Sequence, residues 1–297
     1  MKRKKIEFLI SATLTLVLVS IGGKAIHWYA VKYDPEMARL NQAVWRHPDD
    51  AALYNRRGIA YLLKGEHEHA IADFDKAIQL RPDFAEAYYH RGESYQYSGD
   101  HARAIADFDR IVQLEPDPTN LAATYICRGN NYQSMAQYDQ AIANYNHALE
   151  LQPDSALTYF NRGRAYKAKR KRDLAIADFS NAIQMEPDKT IYYHYRGLVY
   201  TEKFEYELAI ADFDQIIQLN PSSVDAYYWR GVSYWNNCEY DNAVADFERV
   251  FWLTDSTSLR IELSKLIIWL RGYQLTQYWD TQVELLKAIF RLLREAP

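Results

Sequence analysis

The sequence predicts an all-α fold in which short helical hairpins stack into a solenoid, and three observations lead there. A motif of the form Y-x-x-R-G-x-x-Y opens at Tyr54 and returns at Tyr88, Tyr125, Tyr159, Tyr193 and Tyr227. Around each copy, apolar or small residues recur at helical spacing in two successive stripes, for example Tyr54, Gly58 and Tyr61 followed by Ala70, Phe74, Ala77 and Ile78. That period marks amphipathic helices. With 11 glycines, 9 prolines and 48% hydrophobic residues in 297, the chain is too apolar for disorder and too poor in glycine and proline for collagen or a low-complexity linker.

In chain order, the first element is an expected transmembrane helix within residues 1–33. Lys2, Arg3, Lys4 and Lys5 precede Ile6 to Gly23, 18 residues broken only by Glu7 and a few hydroxyls. At about 1.5 Å per residue this run reaches roughly 27 Å, close to the hydrocarbon thickness of a bilayer. Lys24, Trp28, Tyr29 and Lys32 follow as interfacial anchors. A cleaved signal peptide shares the basic start and the apolar stretch, but no clear A-x-A site follows. Basic residues held in the cytoplasm place the rest of the chain on the other side of a single-pass anchor, in a bacterium the periplasm.

The repeats come next. Counted from the residue equivalent to Ala51, six units occupy 51–84, 85–118, 122–155, 156–189, 190–223 and 224–257, with a 34-residue spacing and three extra residues around Asp117 to Leu121. Position 20 is always alanine, and position 24 is Phe74, Phe108, Tyr145, Phe179, Phe213 or Phe247. Proline closes five units, at Pro82, Pro116, Pro153, Pro187 and Pro221, where its missing amide ends the second helix. Helices this short depend on burial of their apolar faces, so each pair must fold as a hairpin and each hairpin must stack on the next. Glycine at position 8 lets the second helix approach closely. Arginine at position 7 (Arg57, Arg91, Arg128, Arg162, Arg196, Arg230) recurs with aspartate at position 23 (Asp73, Asp107, Asp178, Asp212, Asp246; Asn144 in the third unit), which predicts a repeated helix-to-helix salt bridge.

An aromatic at 4, glycine at 8, tyrosine at 11, alanine at 20, an aromatic at 24 and proline at 32 together resemble the tetratricopeptide repeat family, over about 70% of the chain. Two departures stand out: arginine at 7, where the family commonly has leucine, and Asp255 in place of the last proline. The resemblance implies a right-handed superhelix whose first helices line a concave groove, with positions 2, 5, 9 and 12 facing an extended or helical peptide. Carried onto this chain, those positions give Tyr89, Glu93, Gln96, Asn130, Gln133, Phe160, Arg164, Lys167, His194, Tyr228 and Trp235. It also implies a non-enzymatic scaffold for a protein or peptide partner, without a cofactor. A subset of the family grips a chain-end carboxylate through lysines and asparagines of three consecutive units. Asn130, Asn161 and Arg164 are pieces of that set without its lysines, so that mode is not expected.

The array is closed at both ends. Residues 34–50 read as a half repeat, because Glu36, Leu40, Ala43 and Pro48 occupy positions 20, 24, 27 and 32; a lone second helix there covers the first unit. Residues 258–297 read as two closing helices, over Leu259 to Arg271 and Gln282 to Arg294. Trp229, Trp235, Trp252, Trp269 and Trp279 crowd this end and make it a second candidate interface, or the inside of the cap.

Candidate chemistry is sparse. A net charge of -4 argues against nucleic acid. His67 and His69 stand two apart and are not a zinc-binding H-E-x-x-H pair. Cys127 and Cys238 are about three units apart, beyond disulfide reach. The Asp-Phe-Asp pairs such as Asp73/Asp75 and Asp212/Asp214 recur with the repeat and read as solvated or bridging side chains. Lys167 to Arg172 forms a basic turn open to an acidic partner. No metal, cofactor or small-molecule substrate is expected. Two alternatives to a tethered adaptor are a secreted scaffold freed by signal-peptide cleavage and an accessory subunit of an envelope enzyme complex.

Overall fold

A computed structural model of the chain describes residues 35–114 and 118–272, and every regular element among them is an α-helix. Helix α1 spans Pro35–Arg46. Six hairpins follow: α2 (Ala51–Leu63) with α3 (His67–Leu80), α4 (Ala85–Tyr97) with α5 (His101–Leu114), α6 (Pro118–Ser134) with α7 (Tyr138–Leu151), α8 (Ala156–Ala168) with α9 (Arg172–Met185), α10 (Thr190–Glu202) with α11 (Tyr206–Leu219), and α12 (Val224–Asn236) with α13 (Tyr240–Leu253); α14 spans Thr257–Gly272. The chain divides into two compact units after Pro116, where the three extra residues interrupt the repeat. Helices α1–α5 belong to the first and α6–α14 to the second. No helix among the described residues is long and apolar enough to cross a membrane. The expected anchor at 1–33 and the closing helix at 282–294 lie outside the described residues.

Every hairpin turns in the same way. The amide after the turn residue donates to the carbonyl of the position-11 tyrosine five residues back, as in Glu66 to Tyr61 (3.0 Å), Lys171 to Tyr166 (2.9 Å) and Glu239 to Tyr234 (2.8 Å). This closure needs a left-handed residue between them. Gly65 and Gly99 supply it at φ 74° and 78°, but Ala136, Arg170, Phe204 and Cys238 adopt φ of 56–63° without being glycine. The later hairpins therefore carry strain, on the order of 1 kcal/mol per turn. Some helix starts are capped by side chains: Asp50 accepts from the Ala52 amide at 2.9 Å, and Ser155 and Ser223 accept from Thr158 and Ala226 at 3.3 Å.

The position-8 glycine is a packing device. A Cβ on Gly163 would lie 2.7 Å from the Phe179 ring, and one on Gly58 would lie 2.6 Å from Phe74. Alanine normally improves on glycine inside a helix by about 1 kcal/mol. Here Gly163→Ala is expected to destabilise by about 1–3 kcal/mol through overpacking, seen as a lower urea midpoint; a higher midpoint would show that the ring has room to move.

Neighbouring hairpins share their cores. In the second unit Ala165 of α8 joins Ala141, Ile142 and Tyr145 of α7, and Tyr192 and Val199 of α10 join Phe160, Ala175, Phe179 and Ala182. At the end, Leu259, Leu263, Leu266, Ile267 and Leu270 of α14 bury the last hairpin's Tyr228, Phe247 and Val250. In the first unit α1 buries Met37 and Val44. Both helices bury apolar residues against the hairpin beside them.

The expected salt bridge is a clasp of three helices. Arg162 donates through Nε and Nη2 to both oxygens of Asp178 (2.8 and 2.7 Å), and its Nη1 reaches Asn146 of the preceding hairpin at 2.7 Å. Arg57, Arg91, Arg196 and Arg230 repeat the pattern with Asp73, Asp107, Asp212 and Asp246, each sending Nη1 back sixteen residues to Asn41, Asp75, Ser180 and Asp214. The second aspartate of an Asp-Phe-Asp pair is thus a bridging group at Asp75 and Asp214. In the third unit Arg128 donates to Asn144 Oδ1 at 2.6 Å. The position-4 tyrosines lie 5.1–5.8 Å from these guanidinium carbons, so each hairpin pairs its repeated tyrosine with its repeated arginine.

Candidate peptide-binding concavity

Helices α6, α8 and α10 of the second unit wall a concavity of about 600 Å³. Asn130, Gln133 and Ser134 come from α6; Leu157, Asn161, Arg164, Lys167 and Ala168 from α8; Tyr195 from α10; Tyr138 enters from α7. Spacings of three and four residues put each set on a single helix face. The lining mixes apolar and polar side chains, with Leu157 54% exposed. Arg164 and Lys167 make it basic.

The cations differ in their engagement. Lys167 pairs with Glu202 at 2.7 Å, Arg172 shares that carboxylate at 3.3 Å, and Lys169 pairs with Asp139. Arg164 is exposed, makes no ion pair among the described residues, and sits 5.7 Å from the rings of both Phe160 and Tyr195. Beneath it, the Tyr145 hydroxyl lies 2.8 Å from Asn130 Oδ1 and 3.0 Å from Gln133 Oε1, while Asn161 Nδ2 donates to Asn130 Oδ1 at 3.2 Å. Burial pushes the Tyr145 hydroxyl well above the ordinary phenol range, so it stays protonated as a donor. His194, half-buried nearby, is pushed below the usual histidine range by burial; Asp225 opposes the shift and Lys167 reinforces it.

Of the residues expected to face a groove, Asn130, Gln133, Arg164 and Lys167 meet here. Tyr89, Glu93 and Gln96 lie on α4 in the first unit, half-buried, with Glu93 bonded to His90 at 2.9 Å. Phe160 is 8% exposed and Tyr228 1%, so both serve chiefly as core under the wall. Trp235 packs against the terminal core. In the cap, Trp229 packs on the same core, whereas Trp252 is 73% exposed. Sequence reasoning did not place Leu157, Ser134, Tyr138, Ala168 and Tyr195 at this site. Leu157 held a signal, since it stands at position 2 of the fourth unit, one of the groove-facing positions, on the same face of α8 as Asn161, Arg164 and Ala168. Among the described residues, no cluster of histidine, cysteine or carboxylates could hold a metal.

The chain belongs to the tetratricopeptide repeat family. Models described as TPR repeat or tetratricopeptide repeat match residues 58–99, 85–118, 129–169, 156–189, 197–237 and 224–251. No curated protein matches the chain. Among solved structures, the C-terminal part of a TPR repeat-containing protein from Cytophaga hutchinsonii is 16% identical, with a TM-score of 0.65 over 77% of this chain and 94% of that one. A tetratricopeptide repeat protein from Parabacteroides merdae is 20% identical, with a TM-score of 0.56 over 78% of this chain and 91% of that one. YrrB, described as a TPR protein with an unusual peptide-binding site, is 22% identical, with a TM-score of 0.54 over 63% of this chain and 95% of its own. At these identities the likeness concerns the fold.

Proposed function

We propose that this chain is a non-enzymatic scaffold, tethered to a membrane through residues 1–33, that holds a protein partner by a segment seated against the first helices of its hairpins. One observation carries the reading: the wall of α6, α8 and α10 presents an exposed leucine, amides and an arginine outside any ion pair among the described residues, whereas the clasp arginines are spent on holding the fold. Mixed aromatic, apolar and arginine surfaces are the kind that supply binding hot spots. That YrrB is described as having a peptide-binding site agrees with this use of the fold.

The test uses carbonate-washed membranes from cells expressing the full-length chain. The wild type is expected to remain in the membrane pellet and retain its partner. A Leu157→Ser, Arg164→Ala variant should remain in the pellet with partner retention reduced at least about tenfold. Release of the wild type from the pellet would contradict the tether, and undiminished retention by the variant would contradict the binding wall.

A further inference from the structure

Tyr145 is the only tyrosine among the six position-24 aromatics, the other five being phenylalanine. Its ring fills the same place as theirs, since a Cβ on Gly129 would lie 2.7 Å from it. The difference is a hydroxyl that reaches Asn130 Oδ1 and Gln133 Oε1. Asn130 Oδ1 also accepts from Asn161. The hydroxyl has one proton: given to Asn130 Oδ1, it leaves the Asn130 N–H groups for a ligand, while the tyrosine oxygen accepts one Gln133 N–H and leaves the other. Arg164 stands beside them, 5.7 Å from two ring centres and outside any ion pair among the described residues.

We propose that this cluster selects an acidic side chain, a glutamate or aspartate within an extended segment of the partner, with the neighbouring apolar residue of that segment resting on Leu157. The assignment rests on the binding wall described above and names its chemistry. Two N–H-bearing amides and a guanidinium match the acceptor-only character of an ionised carboxylate. A single negative charge fits better than the pair at an acidic chain end, because Lys167 is already engaged by Glu202 and leaves one cation at the cluster. Tyr145 acts as a positioning residue: it touches no ligand, and its one proton fixes which way the Asn130 amide faces.

The experiment is a titration of the ¹⁵N-labelled full-length chain, following the Arg164 Nε–H signal and the side-chain amides of Asn130 and Gln133. Three probes are compared: acetyl-Ala-Leu-Glu-Leu-Ala-amide, its glutamine counterpart, and the glutamine counterpart with a free C-terminal carboxylate. The glutamate peptide is expected to shift these signals saturably, with affinity falling as salt rises, and the two glutamine peptides to bind at least about tenfold more weakly, the loss of a charge-assisted contact. Tyr145→Phe restores the side chain of the sibling units, so it should melt within about 5 °C of the wild type and lose affinity about five- to tenfold, that of a neutral hydrogen bond. Equal binding of the glutamate and glutamine peptides, binding confined to the free-carboxylate peptide, no shift with any peptide, or wild-type affinity in Tyr145→Phe would each overturn the assignment. If that happens while the Leu157→Ser, Arg164→Ala variant still loses its partner, the binding wall stands and only its acidic specificity falls.

Discussion

Arg162→Ala is expected to cost about 3–5 kcal/mol of stability, because it strands a buried charge. Its partner Asp178 is 4% exposed and Arg162 itself 19%. The same substitution cuts the bond to Asn146 of the preceding hairpin and the cation–π contacts with Tyr159 and Tyr166. Against a typical domain stability of about 5–15 kcal/mol, that is a large fraction. A double-mutant cycle with Asp178→Ala should return a coupling above about 1 kcal/mol.

The loss should also depend on pH. Burial raises the Asp178 carboxyl above the ordinary range, opposed by the hydrogen bonds and charge of Arg162. Removing the arginine removes that opposition, so the carboxyl rises further. A carboxyl raised above its unfolded value of about 3.9 adds stability that is fully present below that value and is lost as pH climbs through the folded value. The deficit of Arg162→Ala in urea denaturation should therefore be smaller at about pH 4 than at pH 7. A deficit that grows in acid would mean that the pair does not shield a desolvated charge.

Phe179→Ala is expected to cost a similar amount, about 3–5 kcal/mol, by leaving a cavity that the surrounding helices cannot close. Phe179 is fully buried, presses on Gly163, and lies 5.9 Å from the rings of both Phe160 and Tyr195. Those two rings carry Arg164 at the mouth of the concavity. The variant should lose amide protection in hydrogen exchange first along α8, α9 and α10 and bind its partner more weakly in step. Unchanged protection in α8 and α10 would show that this core is not shared between hairpins.

Interactions that repeat at a fixed separation within one unit were legible in the sequence. Glycine 8 against the aromatic at 24 and arginine 7 against aspartate 23 both recur sixteen residues apart with nearly constant chemistry. The arginine's second reach, sixteen residues back, was not legible, because its acceptor is Asn41, Asp75, Asn146, Ser180 or Asp214 and only the geometry is constant. The left-handed turn could be read where glycine marks it, at Gly65 and Gly99, and not at Ala136, Arg170, Phe204 or Cys238, where hairpin packing overrides residue preference. The site was half legible. The groove positions that the family resemblance implied brought Asn130, Gln133, Arg164 and Lys167 to one wall, but whether a position-5 aromatic faces solvent depends on the neighbouring helix. Tyr192 packs on Phe160, and Trp229 and Phe247 pack on Tyr228. Which cation is spent and which is free depends on carboxylates some thirty residues away, such as Asp139 opposite Lys169.

The central claim is that the first-helix wall of the second unit receives the partner. Site-specific photo-cross-linking tests it most directly, with a benzophenone side chain placed in the full-length chain at Ala168, within the concavity, or at Ala177, exposed on α9 outside it. Adducts with an extended partner segment from Ala168 and none from Ala177 are expected. Adducts from Ala177 alone would place the partner on the second helices and contradict the claim.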